Sequence, residues 1–177
     1  IFFKRDMGTG LNWWASYALT TTHETYHGEQ GHPDFQGQKF SRTFDQLHSF
    51  SFDLIYRPAS NWFLGVAWQG RSGWPYTPME LLEESRPNNS FQSGPLYSLT
   101  YGAFHSQRYP VYHRLDVKLS HWRAFNNWRL MFAIGMSNLY GQKNIRRYSY
   151  YVVEDKLNRL AESWLPPLPV FSVSAEF

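Results

Sequence analysis

The chain reads as an all-β protein, a transmembrane antiparallel β-barrel, on three observations. Runs of period-two hydrophobicity recur along it. Very short turns at residues 6–10, 58–61 and 124–127 alternate with long polar segments at 23–43, 73–111 and 154–166. The chain then stops on a strand-like run, residues 170–177, that ends on Phe177. One rim of tight turns and one of long loops is how a membrane barrel is connected.

The expected strands follow in order. Residues 1–5 form a stub. From residue 11 to about 22, Leu11, Trp13, Ala15, Tyr17 and Leu19 share one face, while Asn12, Ser16, Ala18 and Thr20 share the other, with Trp14 as the exception. In 44–57, Phe50, Phe52, Leu54 and Tyr56 oppose Ser49, Ser51, Asp53 and Arg57. In 62–72, Trp62, Leu64, Val66 and Trp68 oppose Phe63, Gly65, Ala67, Gln69 and Arg71. In 112–123, Leu115, Val117 and Leu119 alternate with Arg114, Asp116, Lys118 and Ser120, and a face so charged is no soluble core. The next strand is expected to run from 128 to about 153 with an extracellular extension, Leu130, Phe132, Ile134 and Met136 facing away from Arg129, Met131, Ala133, Gly135 and Ser137. Phe171, Val173, Ala175 and Phe177 close the chain, opposite Ser172, Ser174 and Glu176.

A soluble sheet with one face in water alternates in the same way, so a β-sandwich or a lipocalin-like barrel is the rival fold. Against it stand the strict short-long order of the connections and the rings that gather near the turns (Trp13, Trp14, Tyr56, Trp62, Trp68, Trp122 and Trp128), as an interfacial girdle requires. Seven strands are an odd number, and an open sheet would leave two edges in lipid without hydrogen-bond partners. Residues 1–177 are therefore expected to be the C-terminal segment of a larger barrel.

Composition narrows the classes further. Aromatic residues make up 19% of the 177 residues, yet mean hydropathy is −0.52 and no stretch approaches the ~20 apolar residues of a spanning helix. A net charge of +3 would suit nucleic acid only if Lys and Arg clustered, and here they are scattered singly. There is no cysteine, which suits export without a disulfide and suits many other settings as well. The chain begins at Ile1 without a leader and looks like a piece of a longer one.

Residues 70–78, Gly-Arg-Ser-Gly-Trp-Pro-Tyr-Thr-Pro, resemble the Ser-Gly-x-Pro-Tyr-Thr-Pro segment of TonB-dependent outer-membrane receptors. Three further segments agree with that family in order. Residues 109–117, Tyr-Pro-Val-Tyr-His-Arg-Leu-Asp-Val, look like its strand start with Pro, an aromatic and Arg-Leu-Asp, and residues 137–140, Ser-Asn-Leu-Tyr, look like its Asn-Leu-Phe/Tyr. Residues 166–177 resemble its last strand, whose Phe171, Val173 and Phe177 would be the signal read by the barrel-assembly machinery. The resemblance implies a 22-stranded barrel of which these are about the last seven strands, with the N-terminal strands and a plug domain outside this sequence. It implies uptake of a scarce solute (a siderophore, metal complex, oligosaccharide or peptide) across the bacterial outer membrane. The implied partners are that membrane's lipid and lipopolysaccharide, the chain's own plug and the TonB energy-coupling complex. No catalytic residue, cofactor or nucleic acid is implied. The rivals are an outer-membrane barrel hydrolase or peptidase and a passive porin or structural barrel.

Three groups of residues are candidates for chemistry. His23, Glu24 and His27 match the His-Glu-x-x-His pattern of zinc peptidases, but that chemistry needs a helix, and the neighbouring Thr run, Gly28, Gly31 and Pro33 oppose one. His23, His27 and His32, with Glu24, Glu29 and Asp34, are alternatively metal ligands in an external loop, or a solvated His-rich loop. In the second long segment, Trp74, Tyr76, Tyr97, Tyr101, His105, Arg108 and Tyr109 could stack on a ligand and pair with its anionic groups, or pack the loop against neighbours. On the wet face, Arg71, Arg114, Asp116, Lys118 and Arg129 are expected to form an ion-pair lattice with the plug.

Overall fold

The computed structural model describes residues 1–6, 10–25, 37–84 and 96–177. Among them there is no helix, and every strand pairing is antiparallel. Seven strands form one sheet in the order β1 (Phe2–Asp6), β2 (Leu11–Leu19), β5 (His48–Ala59), β6 (Trp62–Arg71), β11 (Tyr112–Ala124), β12 (Arg129–Ser137) and β15 (Leu168–Glu176). Each pairs with the next one met along the chain, so the sheet is a meander. Four small ladders interrupt it: β3 (His23–Thr25) with β4 (Lys39–Ser41), β7 (Pro75–Tyr76) with β10 (Gln107–Arg108), β8 (Met79–Glu84) with β9 (Leu96–Tyr101), and β13 (Ile145–Val153) with β14 (Lys156–Ser163). All four lie in the long connections, and so at one end of the sheet.

Register turns the alternation of each strand into continuous rows. Trp13, Leu54, Val66, Val117, Met136 and Pro169 are successive cross-strand partners, and Leu11, Tyr56, Leu64, Leu119, Ile134 and Phe171 form a parallel row. This apolar face stays open to the outside: Phe132 is 49% exposed, Ile134 53%, Phe171 71% and Val173 67%. The opposite face is concave. A trough of about 390 Å³ lies along it, floored by Gly65, Ala67, Ala133, Gly135 and Ser172 and edged by Asp53 and Asp116. Glycines within strands, here Gly65 and Gly135, are positions at which a sheet can bend. Pro75, Tyr76 and Ala133 are the buried apolar side chains among the described residues. Over the described residues the seven-stranded sheet is a single layer.

The rows and the short turns at 58–61 and 124–127 follow the sequence pattern closely, and the long connections depart from it. The strand expected to start at 44 starts at His48, because residues 42–47 form a turn that buries Asp45. The continuous strand expected over 128–153 ends at Ser137. Asn138 (φ 54°) and Gly141 (φ 68°) take left-handed backbone there, which an extended strand cannot contain. Residues 154–166, expected as loop, mostly belong to strand β14, joined to β13 by Glu154 and Asp155, both at positive φ in a two-residue hairpin turn. The turn at 6–10 is described only at its two ends, residues 7–9 lying outside the described residues.

Candidate functional site

Above the sheet, on the side of the long connections, the two motifs at 70–78 and 109–117 meet. Ser72 donates its amide to the carbonyl of His48 (2.9 Å) and its hydroxyl oxygen accepts the amide of His48 (3.0 Å), tying the end of β6 to the start of β5. Gly73 follows, buried so tightly that a β-carbon would overlap the carbonyl of Tyr109. Trp74 then accepts the amide of Tyr109 (3.0 Å). β7 and β10 continue that contact, and Tyr76 donates its hydroxyl to Gln107 Oε1 (2.7 Å).

A cluster of rings grows from this junction. Tyr76 stacks on Tyr109 with centroids 4.5 Å apart, and Tyr148 from the β13–β14 hairpin lies 5.2 Å from one and 5.3 Å from the other. Arg159 covers the Tyr148 ring at 4.0 Å and donates to the Tyr76 hydroxyl oxygen (3.3 Å). Burial, with the neighbouring tyrosines adding to it, pushes the Tyr76 phenol above its ordinary value, and burial does the same for Tyr109. Both rings are neutral hydrogen-bonding surfaces at physiological pH.

Asp45 is the counterpart on the first long connection. It is 2% exposed and accepts the amide of Thr22 (2.6 Å) and the guanidinium of Arg108. Burial acts to raise its carboxyl, but the hydrogen bonds from Arg108 and Thr22 and the nearby positive charge outweigh it and hold the carboxyl below the ordinary 3.8. Arg108 also donates to the carbonyls of Asp45 (2.9 Å) and Gly73 (3.1 Å). Its donors are therefore used in holding three chain segments together, a structural role that the sequence pattern did not reveal. His105 is similarly engaged, its Nδ1 2.6 Å from the Ser41 carbonyl and its ring stacked on Phe104 at 3.9 Å.

Of the seven aromatic and cationic residues expected to bind ligand, Trp74, Tyr76, Arg108 and Tyr109 come together. His105 lies beside Phe40 and Phe104, and Tyr97 and Tyr101 stand apart on the β8–β9 hairpin, Tyr101 being 76% exposed. On the polar face the lattice is expected with a plug that lies outside this sequence, and two local ion pairs occur among the described residues. Arg114 meets Asp116 at 2.8 Å and Arg129 meets Glu176 at 2.9 Å. Arg71 stacks on Trp74 and Tyr112, and Lys118 lies between Gly65 and Gly135 in register. At the C-terminus, Trp128 stacks on Phe177 at 6.2 Å, and Phe171 and Val173 stand on the apolar face. His23 and Glu24 lie in strand β3, so they carry no helical zinc pattern, and His27, His32, Glu29 and Asp34 lie outside the described residues. No cluster of three or more potential metal ligands occurs among the described residues.

Two buried asparagines, which composition and spacing did not single out for this role, close the top of the sheet. Asn144 pairs with His113 as a strand would, its Oδ1 accepting the amide and its Nδ2 donating to the carbonyl (both 2.9 Å). Asn138 donates its amide to Asp116 (2.8 Å), and its side chain closes a loop on Gln142. The Ser-Asn-Leu-Tyr motif is thus the point where β12 stops and the β13–β14 hairpin is anchored. Compared with protein families, curated proteins and solved structures, the chain matches none.

Proposed function

We propose that the chain is the C-terminal barrel segment of a TonB-dependent outer-membrane receptor, which imports a scarce solute through a plugged barrel. The observation that carries this reading is the single-layer meander with an exposed apolar face, a small-residue concave face and every added hairpin at one end. A lipid-facing wall needs the first, a wet lumen the second and a ligand-meeting rim the third. The meeting of the two motifs at Gly73 and Tyr109 adds support, because it gives the resemblance a shared structural purpose. The receptor acts by binding and gated passage, with lipid and lipopolysaccharide around the wall, the barrel-assembly machinery reading the last strand and the TonB complex supplying energy.

The test uses the full gene product in its host with one cysteine introduced at a time. Tyr101→Cys on the β8–β9 hairpin should react with a membrane-impermeant maleimide on intact cells. Asn126→Cys in the short turn should react only after the outer membrane is opened. Equal labelling of both on intact cells, or recovery of the protein in the soluble fraction, would sink the barrel. Solute uptake that persists after the proton-motive force is collapsed would replace the receptor with a passive porin.

A further inference from the structure

We propose that Arg71 and Arg114 form a binding site for a small organic carboxylate at the top of the concave face. The inference deepens the receptor reading by naming a class of solute, and depends on it only for how that solute is moved.

Arg71 ends β6 and faces Tyr112 across the ladder to β11. Its guanidinium carbon lies 4.2 Å from the centre of the Tyr112 ring and 4.9 Å from that of Trp74. Two rings hold the planar group in place without consuming its N–H donors, and no hydrogen bond or ion pair among the described residues takes them up. Arg114 lies two residues further along β11 on the same face. Its ion pair with Asp116 uses Nη2, and its buried Nε has no partner. Asp116 is itself occupied, since Oδ1 accepts both the Ser137 hydroxyl (2.9 Å) and the Asn138 amide (2.8 Å).

Both arginines line a pocket of about 280 Å³ together with Trp164 and Leu165, and no carboxylate is among its lining residues in the described part of the chain. Guanidinium is the planar donor fork that matches a carboxylate two bonds at a time. A pre-oriented Arg unpaired among the described residues, beside a second Arg and an indole, therefore suits an acid with a flat or apolar body. The volume falls just below the roughly 300–1,000 Å³ of drug-sized ligand sites, which favours a small acid over an oligosaccharide.

The experiment is equilibrium titration of the purified full-length protein in detergent with benzoate, with inorganic phosphate as the competing anion. Benzoate should bind in preference to phosphate. Arg71→Gln should weaken it at least about tenfold, and Arg71→Lys, which keeps the charge and loses the fork, should fall between. In the wild type, phenylglyoxal should modify Arg71, and benzoate should protect it, as read by peptide mass spectrometry; this arm holds if the Gln variant does not fold. No binding of benzoate, equal binding by Arg71→Gln, equal affinity for phosphate, or unprotected Arg71 would each overturn the site. An Arg71 already shielded in the ligand-free protein would do so as well, since an internal carboxylate would then fill it. Binding at equilibrium requires no energy coupling, so failure here is distinguishable from failure of transport.

Discussion

Gly73 and Asp45 fix the upper end of the sheet, each for a reason the structure makes physical. The Tyr109 carbonyl occupies the space a β-carbon at Gly73 would need, and both sides of that contact are main chain. Gly73→Ala is expected to cost about 1–3 kcal/mol through forced backbone displacement. Hydrogen exchange should show it first at the Tyr109 amide, which donates to Trp74. For Asp45, the folded carboxyl titrates below 3.8, so the folded state binds fewer protons than the unfolded chain in that range. Its stabilisation is complete above the ordinary carboxylate value and is lost as pH falls through the lower, folded one. The β3–β4 segment should therefore loosen on acidification below about pH 3.8, measured by exchange at the Thr22 amide, and Asp45→Asn should abolish that pH dependence. The sequence pointed to Arg108 as a ligand-pairing cation because nothing in a linear reading places Asp45, 63 residues away, against it. In the sequence Tyr76 and Tyr109 read as rings that bind a ligand or pack the loop, and their stacking on one another depends on the pairing of β7 with β10, which a linear reading does not contain.

At the level of elements, the sheet was readable and its extensions were not. Alternation of large apolar and small or polar residues is a local signal with a period of two, and β2, β5, β6, β11, β12 and β15 carry it with few exceptions, Trp14, Ile55, Phe63 and Met131 among them. The β13–β14 hairpin was missed because its turn uses Glu154 and Asp155 at positive φ, where Asn-Gly would have signalled a reversal. The end of β12 was missed because Asn138 is stabilised in the left-handed region by distant partners, Asp116 and the Leu165 carbonyl. Asn144 performs a strand's pairing from a side chain, which no periodicity reports. Asn144→Ala removes both bonds to His113, at about 0.5–1.5 kcal/mol each, and leaves the His113 amide unpaired. The expected result is loss of exchange protection at His113 with protection retained between β12 and β15. Equal loss in both places would mean that Asn144 holds the whole edge of the sheet.

For the molecule as a whole, the decisive property is an apolar face with nothing over it among the described residues. Ile134 sits in the middle of that face, in register with Leu119 and Phe171. If lipid covers it, Ile134→Arg costs about 2–4 kcal/mol, as a cation does near the midplane of a membrane barrel. If water covers it, the same change is close to neutral and improves solubility. Reversible unfolding of the full-length protein from lipid vesicles, compared with the wild type, separates the two. The hairpin between β12 and β15 has a further consequence, for the order of assembly. Ser137 and Leu168 are separated by the 30 residues 138–167, and bringing such distant points together carries a loop-closure entropy that grows with the logarithm of length. Once β13 and β14 have zipped about their two-residue turn, only residues 138–144 and 164–167 remain slack, and the closure cost falls by about 1 kcal/mol. A hairpin outside the sheet thus lowers the entropy cost of bringing the last strand to its neighbour if it forms first.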